Sequence, residues 1–277
     1  MTMLSINTNV GALKAAQASY SVNKSMETSM QRLSTGKRIN GGTDDAAGLQ
    51  IANRLTAEIQ GLNMSVRNAA DAQAMLATAE GATKEIHLLL LRMRELAVQS
   101  ANGTMDSADR NAIASEFTAL ETEINRIGDN TTWAGILLLN GSFSVATAGR
   151  FQVGPDASQN ITHRIEDLAT TAINIVAAID VTTFTKASSA ITALDGSISL
   201  VGTEREQMGA VMNRLEHTIA NLQQVSTNLA QAKGRIEDAD FAAETSNLAR
   251  TQVLQQASMA MLAQANASKQ NILSLFQ

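Results

Sequence analysis

The side chains best suited to chemistry are few and scattered. There are three histidines, His87, His163 and His217. A zinc or acid–base site needs such groups to converge, as in an H-E-x-x-H pair on one helix face, and none of the three has that spacing. No cysteine is present to complete a thiolate site. Hydrophobic spacing puts the histidines in a helix, a strand and a helix, as solvated or packed groups. Gly36-Lys37 carries the last part of a phosphate-binding loop, but Gln31 stands where its first glycine belongs and no strand precedes it, so a turn is expected. The adjacent carboxylates Asp44 and Asp45 follow a glycine break, and the positive end of a helix dipole accounts for both. Asn140-Gly141-Ser142 is a glycosylation sequon with meaning only in a eukaryotic secretory route. No catalytic residue, metal-ligand set or cofactor site emerges, and the chain is not expected to be an enzyme.

The pattern that would position such groups is strongly helical. Of 277 residues, 44% are hydrophobic but only 3% aromatic, and Pro155 is the one proline. A β-sandwich of this size needs far more turns, and proline-rich disorder is excluded. The formal charge of −5 argues against nucleic acid as the main partner. No stretch approaches the ~18 consecutive apolar residues of a membrane span. The segment Met1-Thr2-Met3-Leu4-Ser5-Ile6-Asn7 lacks the basic and apolar regions of a cleaved signal peptide.

Apolar residues recur at steps of three and four along most of the chain. Ile6, Val10, Leu13, Val22, Met26, Met30 and Leu33 form a first stripe, broken at Asn40-Gly41-Gly42, where Thr43 or Asp44 offers a helix cap. A long seam then runs through Leu55, Ile59, Leu62, Leu76, Ile86 and Leu90. At 1.5 Å per residue, a helix from 44 to 101 would span on the order of 85 Å, so it requires long partners. Two are visible, one through Ile113, Phe117, Leu120, Ile124 and Ile127, the other through Val211, Leu215, Leu222, Leu229 and Ile236. Leu88-Leu89-Leu90-Leu91 covers more than one helix face, pointing either to a third helix or to a neighbouring subunit. The region 141–185 is rich in Thr, Ser and Gly. In it Arg150–Val153 and Asn160–Ile165 alternate about Gly154-Pro155-Asp156, which predicts a hairpin.

The chain ends complement each other. Residues 1–43 carry Lys14, Lys24, Arg32, Lys37 and Arg38 against Glu27, whereas 236–277 carry Arg250 and Lys269 against Glu237, Asp238, Asp240 and Glu244. Both are helical in pattern and sparse in strong apolar residues, the C-terminal stripe being Leu254, Met261, Ala265, Ile272 and Leu275. Each is marginal alone, which predicts pairing between them or with other copies and folding coupled to assembly. The predicted fold is therefore mainly α: a long antiparallel helical bundle or coiled coil with a small β-hairpin and paired N- and C-terminal helices.

Several blocks resemble bacterial flagellin. They are Gln31-Arg32-Leu33-Ser34-Thr35-Gly36-Lys37-Arg38-Ile39-Asn40 with Asp44-Asp45-Ala46-Ala47-Gly48-Leu49, then Arg92-Met93-Arg94-Glu95-Leu96-Ala97-Val98-Gln99 and Thr131-Thr132-Trp133. Near the C-terminus, Arg235-Ile236-Glu237-Asp238-Ala239-Asp240-Phe241-Ala242 and Asn271-Ile272-Leu273-Ser274-Leu275-Phe276-Gln277 match as well. The resemblance implies a subunit that polymerises into the flagellar filament for swimming motility, in a short form lacking the variable outer domains. The alternative from the same family of ends is the hook–filament junction protein. It implies an inner, channel-lining domain from 1–43 and 236–277, a rod-like bundle from 44–140 and 186–235, and a hairpin with its connection at 141–185. Assembly seams then fall at Ile6, Val10, Leu13, Leu33, Leu254, Met261, Ile272 and Leu275. Rod seams fall at Leu55, Ile59, Leu62, Leu90, Phe117, Ile124, Leu215, Leu222 and Leu229. Implied partners are other copies, an export chaperone, the filament cap and hook-associated proteins, with export through the flagellar type III apparatus to the cell exterior. A flagellin-sensing toll-like receptor would meet Arg92, Leu96 and Glu116. The apolar runs at Leu89, Leu91 and Ile136-Leu137-Leu138-Leu139 are expected to tune filament packing. The protease insertions of some relatives are not expected, because the short middle lacks a zinc motif.

Overall fold

The computed structural model describes residues 8–143, 149–168 and 179–273, with side chains to residue 268. The fold is mainly helical. Its order is α1 (Val10–Thr35), α2 (Ala46–Ser100), α3 (Ser107–Asn130), β1 (Thr132–Trp133), β2 (Ile136–Leu137), β3 (Arg150–Gln152), β4 (Asn160–Thr162), α4 (Phe184–Glu237) and α5 (Phe241–Leu273). Two compact units result, one from 1–57 with 228–277 and the other from 58–227.

Local chemistry sets the helix ends. The Asn9 side chain accepts the Ala12 amide at the start of α1, and Gly36 closes that helix at φ 70°, a left-handed conformation suited to glycine. The start of α2 differs from the sequence expectation. Its cap is Asp45, whose Oδ1 accepts the Gly48 amide at 2.8 Å. Because the helix begins at Ala46, the amide three residues on from Asp45 is the one left without a helical partner. Asp44 instead braces the preceding turn, its Oδ2 accepting the amides of Asn40 at 3.0 Å and Gly41 at 3.1 Å. A side chain at residue 48 would meet Asp45 Oδ2 at 2.5 Å and Ile39 Cδ1 at 2.7 Å, so the capping carboxylate and Ile39 would both have to shift to admit one.

In the unit of 58–227, α2 and α4 run antiparallel. Asn63 meets Ser226 at 3.0 Å, Glu80 meets Arg205 at 2.7 Å and Arg94 meets Asp195 at 2.5 Å, so one number rises as the other falls. The third helix, α3, returns along α2, held by Arg110 on the Ser100 carbonyl at 3.0 Å and by Arg92 on Glu116 at 2.8 Å. Between them lies one apolar cluster. It takes Leu76, Ile86, Leu90 and Met93 from α2, Ile113, Phe117 and Ile124 from α3, and Leu194, Val201, Met208 and Leu215 from α4. The Leu88–Leu91 run divides: Leu90 is buried and Leu89 packs against the cluster, while Leu88 and Leu91 are exposed.

Two hairpins cover the core. The pairing of β3 with β4 aligns Arg150 with Thr162, Phe151 with Ile161 and Gln152 with Asn160. The predicted second strand is shorter than its alternation suggested. It ends at Thr162, after which Ile165 and Leu168 turn fully into the core, and His163 lies just beyond the strand. A second hairpin, β1 with β2, has no counterpart in the sequence reading. Ala134 and Gly135 take positive φ of 49° and 85°, the twist a two-residue hairpin turn needs. The Ile136–Leu139 run also corrects an expectation: Leu138 and Leu139 are completely buried in the subunit's own core, with Ile136 exposed.

Candidate assembly interface

The unit of 1–57 and 228–277 is built on α1 and α5, which pair antiparallel. Asn9 Nδ2 donates to the Ala265 carbonyl at 3.0 Å, Gln255 Nε2 donates to Asn23 Oδ1 at 2.9 Å, and Arg32 stands 3.8 Å from Glu244. The opposed charges of the chain ends converge where the α1 turn meets the end of α4. Lys37 forms an ion pair with Glu237 at 2.5 Å, with Lys233 also 3.5 Å from that carboxylate. Backbone bonds join Arg38 to Glu237 and Ala239 to Gly36, and the Arg38 guanidinium donates to the Ile236 carbonyl. The Lys37 hydrogen bond holds the Glu237 carboxyl below its ordinary range, against the opposing effect of burial.

The residues this helix pair buries fully are polar. Ser29 is the buried residue of α1, and Glu244 and Thr251 are those of the described part of α5. Val22, Met26 and Leu33 of α1 and Leu248 and Leu262 of α5 are half-buried, but many large apolar side chains face outward: Val10, Leu13 (61% exposed), Tyr20 (73%) and Met30 on α1, with Phe241, Val253 (66%), Leu254, Met259 and Met261 (65%) on α5. Extensive exposed apolar surface is a common property of interaction faces. Of the sequence-derived assembly seam, Val10, Leu13, Leu254 and Met261 are thus exposed and Leu33 is half-buried. Ile6, Leu275 and the side chain of Ile272 lie outside the described residues. Tyr20, Phe241, Val253 and Met259 fell outside that seam, although the Val253-Leu254 and Met259–Met261 clusters, too wide for one stripe, were a usable signal.

The rod residues fall differently. Leu55, Leu62, Leu90, Phe117, Ile124 and Leu215 are buried, whereas Ile59, Leu222 and Leu229 are half-buried. Of the residues matched to receptor contacts, Arg92 and Glu116 form an exposed ion pair at 2.8 Å. Leu96, by contrast, is 1% exposed, placed on the core side of α2, and cannot meet a partner directly in this conformation.

His87 is half-buried and His217 is exposed. His163 is the one histidine with an electrostatic role. Its buried Nε2 stands 3.8 Å from Glu204 Oε1, too far for a hydrogen bond, and neither atom has a partner among the described residues. Burial pushes the His163 imidazole below its ordinary 6.5. It pushes the Glu204 carboxyl above 4.5, where the Glu166 charge adds to the effect and the Glu166 backbone amide and Arg164 oppose it. The signs are opposite. The His163 contribution to stability is present above 6.5 and lost as pH falls through the lowered folded value. That of Glu204 is present below 4.5 and lost as pH rises through the raised folded value. Glu204→Gln is therefore expected to raise the melting temperature near neutral pH, with the advantage vanishing at acid pH. Melting curves across that range check this, and an advantage that grows on acidification would contradict it. Among the described residues no group of three His, Asp or Glu side chains could hold a metal ion, and no helix is long and apolar enough to cross a membrane.

Comparison with known proteins matches both ends of the chain. Residues 6–144 match the bacterial flagellin N-terminal helical region, and 191–276 match the bacterial flagellin C-terminal helical region. A flagellin of Bacillus subtilis is 40% identical over 98% of this chain and 99% of its own length. A flagellin of Halalkalibacterium halodurans is 42% identical with the same coverage. Among solved structures, a Vibrio parahaemolyticus chain assigned as a flagellar hook-associated protein superposes with a TM-score of 0.59 over 70% of this chain and all of its own, at 14% identity, a likeness of fold alone.

Proposed function

The chain belongs to the bacterial flagellin family and is a structural subunit of the flagellar filament, and on that premise we propose that the outward apolar faces of α1 and α5 are the surfaces through which copies polymerise. The observation that carries this reading is the helix pair that buries Ser29 while leaving Leu13, Tyr20, Val253 and Met261 in water. Covering one large apolar side chain contributes about 1.5–3 kcal/mol. A heterologous contact repeated by identical copies grows without closing, which is what a filament requires. In this reading 1–43 and 236–277 form the inner domain, with Ile6, Val10, Leu13, Leu33, Leu254, Met261, Ile272 and Leu275 at its contacts. The stretches 44–140 and 186–235 form the rod, and 141–185 its hairpin and connection. Export proceeds through the flagellar type III apparatus without a cleaved signal, a chaperone holding the C-terminal segment beforehand. The cap and hook-associated proteins meet the ends of the filament. Recognition by the flagellin-sensing toll-like receptor uses the exposed Arg92–Glu116 pair, with Leu96 supporting the helix from beneath.

The test is electron microscopy of the purified chain after seeding with short filament fragments. Long filaments are expected. Short oligomers that never elongate would contradict the reading and favour a hook–filament junction role.

A further inference from the structure

The chain contains the sequence Asn-Gly three times, at Asn40-Gly41, Asn102-Gly103 and Asn140-Gly141. This pair is chemically labile, because the glycine amide nitrogen has no side chain shielding it and can attack the asparagine side-chain carbonyl. The three copies sit in different electrostatic surroundings. From these we infer that Asn102 is a site of spontaneous deamidation and isomerisation, selected over Asn40 and Asn140 by Arg110.

The reaction needs the glycine N–H to lose its proton. At the first site that N–H is tied to an anion, since Gly41 donates to Asp44 Oδ2 at 3.1 Å while the Asn40 side-chain amide is itself held on the Lys37 carbonyl at 2.9 Å. A negative charge accepting the hydrogen bond opposes formation of the amide anion. At the third site the Asp167 carboxylate lies against Gly141, with one oxygen 3.4 Å from where a side chain on that glycine would begin, and Asn140 is only half-exposed. There too a nearby anion disfavours deprotonation.

At the second site the surroundings are reversed. Asn102 and Gly103 are both exposed, nothing lies within 4 Å of the Gly103 Cβ position, and no acceptor among the described residues takes the Gly103 amide hydrogen. The carbonyl of the Asn102–Gly103 peptide accepts the Arg110 guanidinium Nη2 at 3.0 Å and the Met105 amide at 3.3 Å. A cation on that carbonyl draws charge from the peptide and stabilises the amide anion. The Asn102 Oδ1 accepts the Thr104 amide at 3.2 Å, an Asx turn that polarises the side-chain carbonyl and stabilises the oxyanion formed on attack. Asn140 has the same turn with the Ser142 amide at 3.1 Å, so the charges beside the glycine amide, not the turn, separate the two sites.

The steps balance with water alone. The Gly103 nitrogen gives its proton to solvent hydroxide and bonds to Asn102 Cγ. The bond from Cγ to the side-chain nitrogen breaks, and that nitrogen takes a proton and leaves as ammonia. Water then opens the succinimide at one carbonyl or the other, giving aspartate or isoaspartate. Either product adds a negative charge beyond the C-terminal end of α2, and isoaspartate lengthens the backbone where α2 turns into α3.

Peptide mapping by mass spectrometry, with isoaspartate quantified, tests this on the full chain incubated in mildly alkaline buffer. Conversion at Asn102 is expected to outpace Asn40 and Asn140. Arg110→Gln is expected to slow it by about tenfold per pKa unit lost from the amide, while Arg110→Lys, which keeps a cation, retains most of the rate. Asp44→Asn is expected to accelerate conversion at Asn40. Equal conversion at the three sites, or an Arg110→Gln variant that keeps or exceeds the original rate with unchanged circular dichroism, overturns the inference. If Arg110→Gln loses helical signal, the ranking of the three sites in the unaltered chain and the Asp44→Asn acceleration decide it: both seen support it, and either missing overturns it.

Discussion

A chain lacking residues 1–35 is expected to stay soluble and largely helical but to form no filament. The deletion removes α1 entirely and leaves untouched the apolar cluster between α2, α3 and α4, whose members all lie between 69 and 215. What is lost is the outward face of Val10, Leu13 and Met30, together with the partner of α5. If neighbouring copies cover those three side chains, their loss weakens association by about 4.5–9 kcal/mol, about three decades or more in affinity. Removal of 245–277 is expected to act in the same way, since it takes away Val253, Leu254, Met259 and Met261. Sedimentation and electron microscopy read polymerisation, and circular dichroism reads the surviving bundle. Normal filaments from either truncation would refute the role of the terminal helices.

The second large effect is expected inside the subunit. Phe117 is 2% exposed and is contributed by α3 to the shared core. Phe117→Ala removes most of a ring from a site walled by three helices, which cannot close around the void. The expected cost is about 3–5 kcal/mol, of which part is the cavity itself. Leu88→Ala, on α2 and half exposed, is expected to stay within about 0.5 kcal/mol of the unaltered chain. Denaturant unfolding of the monomer measures both. A loss under about 1 kcal/mol for Phe117→Ala would mean that α3 is not packed as described.

The sequence was most informative where periodicity is long. The alternating steps through Leu62, Leu76 and Leu90, and through Val211 and Leu215, are what an extended helix seam produces, and the helices formed over those stretches. The β3–β4 hairpin was legible because alternation flanks Gly154-Pro155. The β1–β2 hairpin was not, because two-residue strands carry no period and its turn places Ala134 in the left-handed region without an Asn-Gly signal. The cap of α2 lies at Asp45 and not at Thr43 or Asp44, since adjacent aspartates differ only in which free amide each can reach. At the terminal helices, the opposite charge of the two ends favoured pairing with each other or with other copies, and the structure adds the specific Lys37–Glu237 contact within the subunit. The same pattern does not reveal which apolar side chains face out, because a stripe buried within one subunit and one buried between subunits read alike. Leu96 shows the opposite difficulty: a motif carries a residue's position along the helix but not the direction in which it points.

Hydrogen exchange compared between monomer and filament tests most directly whether assembly completes this core. Amides of α1 and α5 are expected to exchange rapidly in the monomer, where few apolar contacts protect them. In the filament they should slow by orders of magnitude, while those near Leu76, Leu90 and Phe117 are slow in both states. Terminal helices that exchange equally in monomer and filament would contradict a core divided between the subunit and its neighbours.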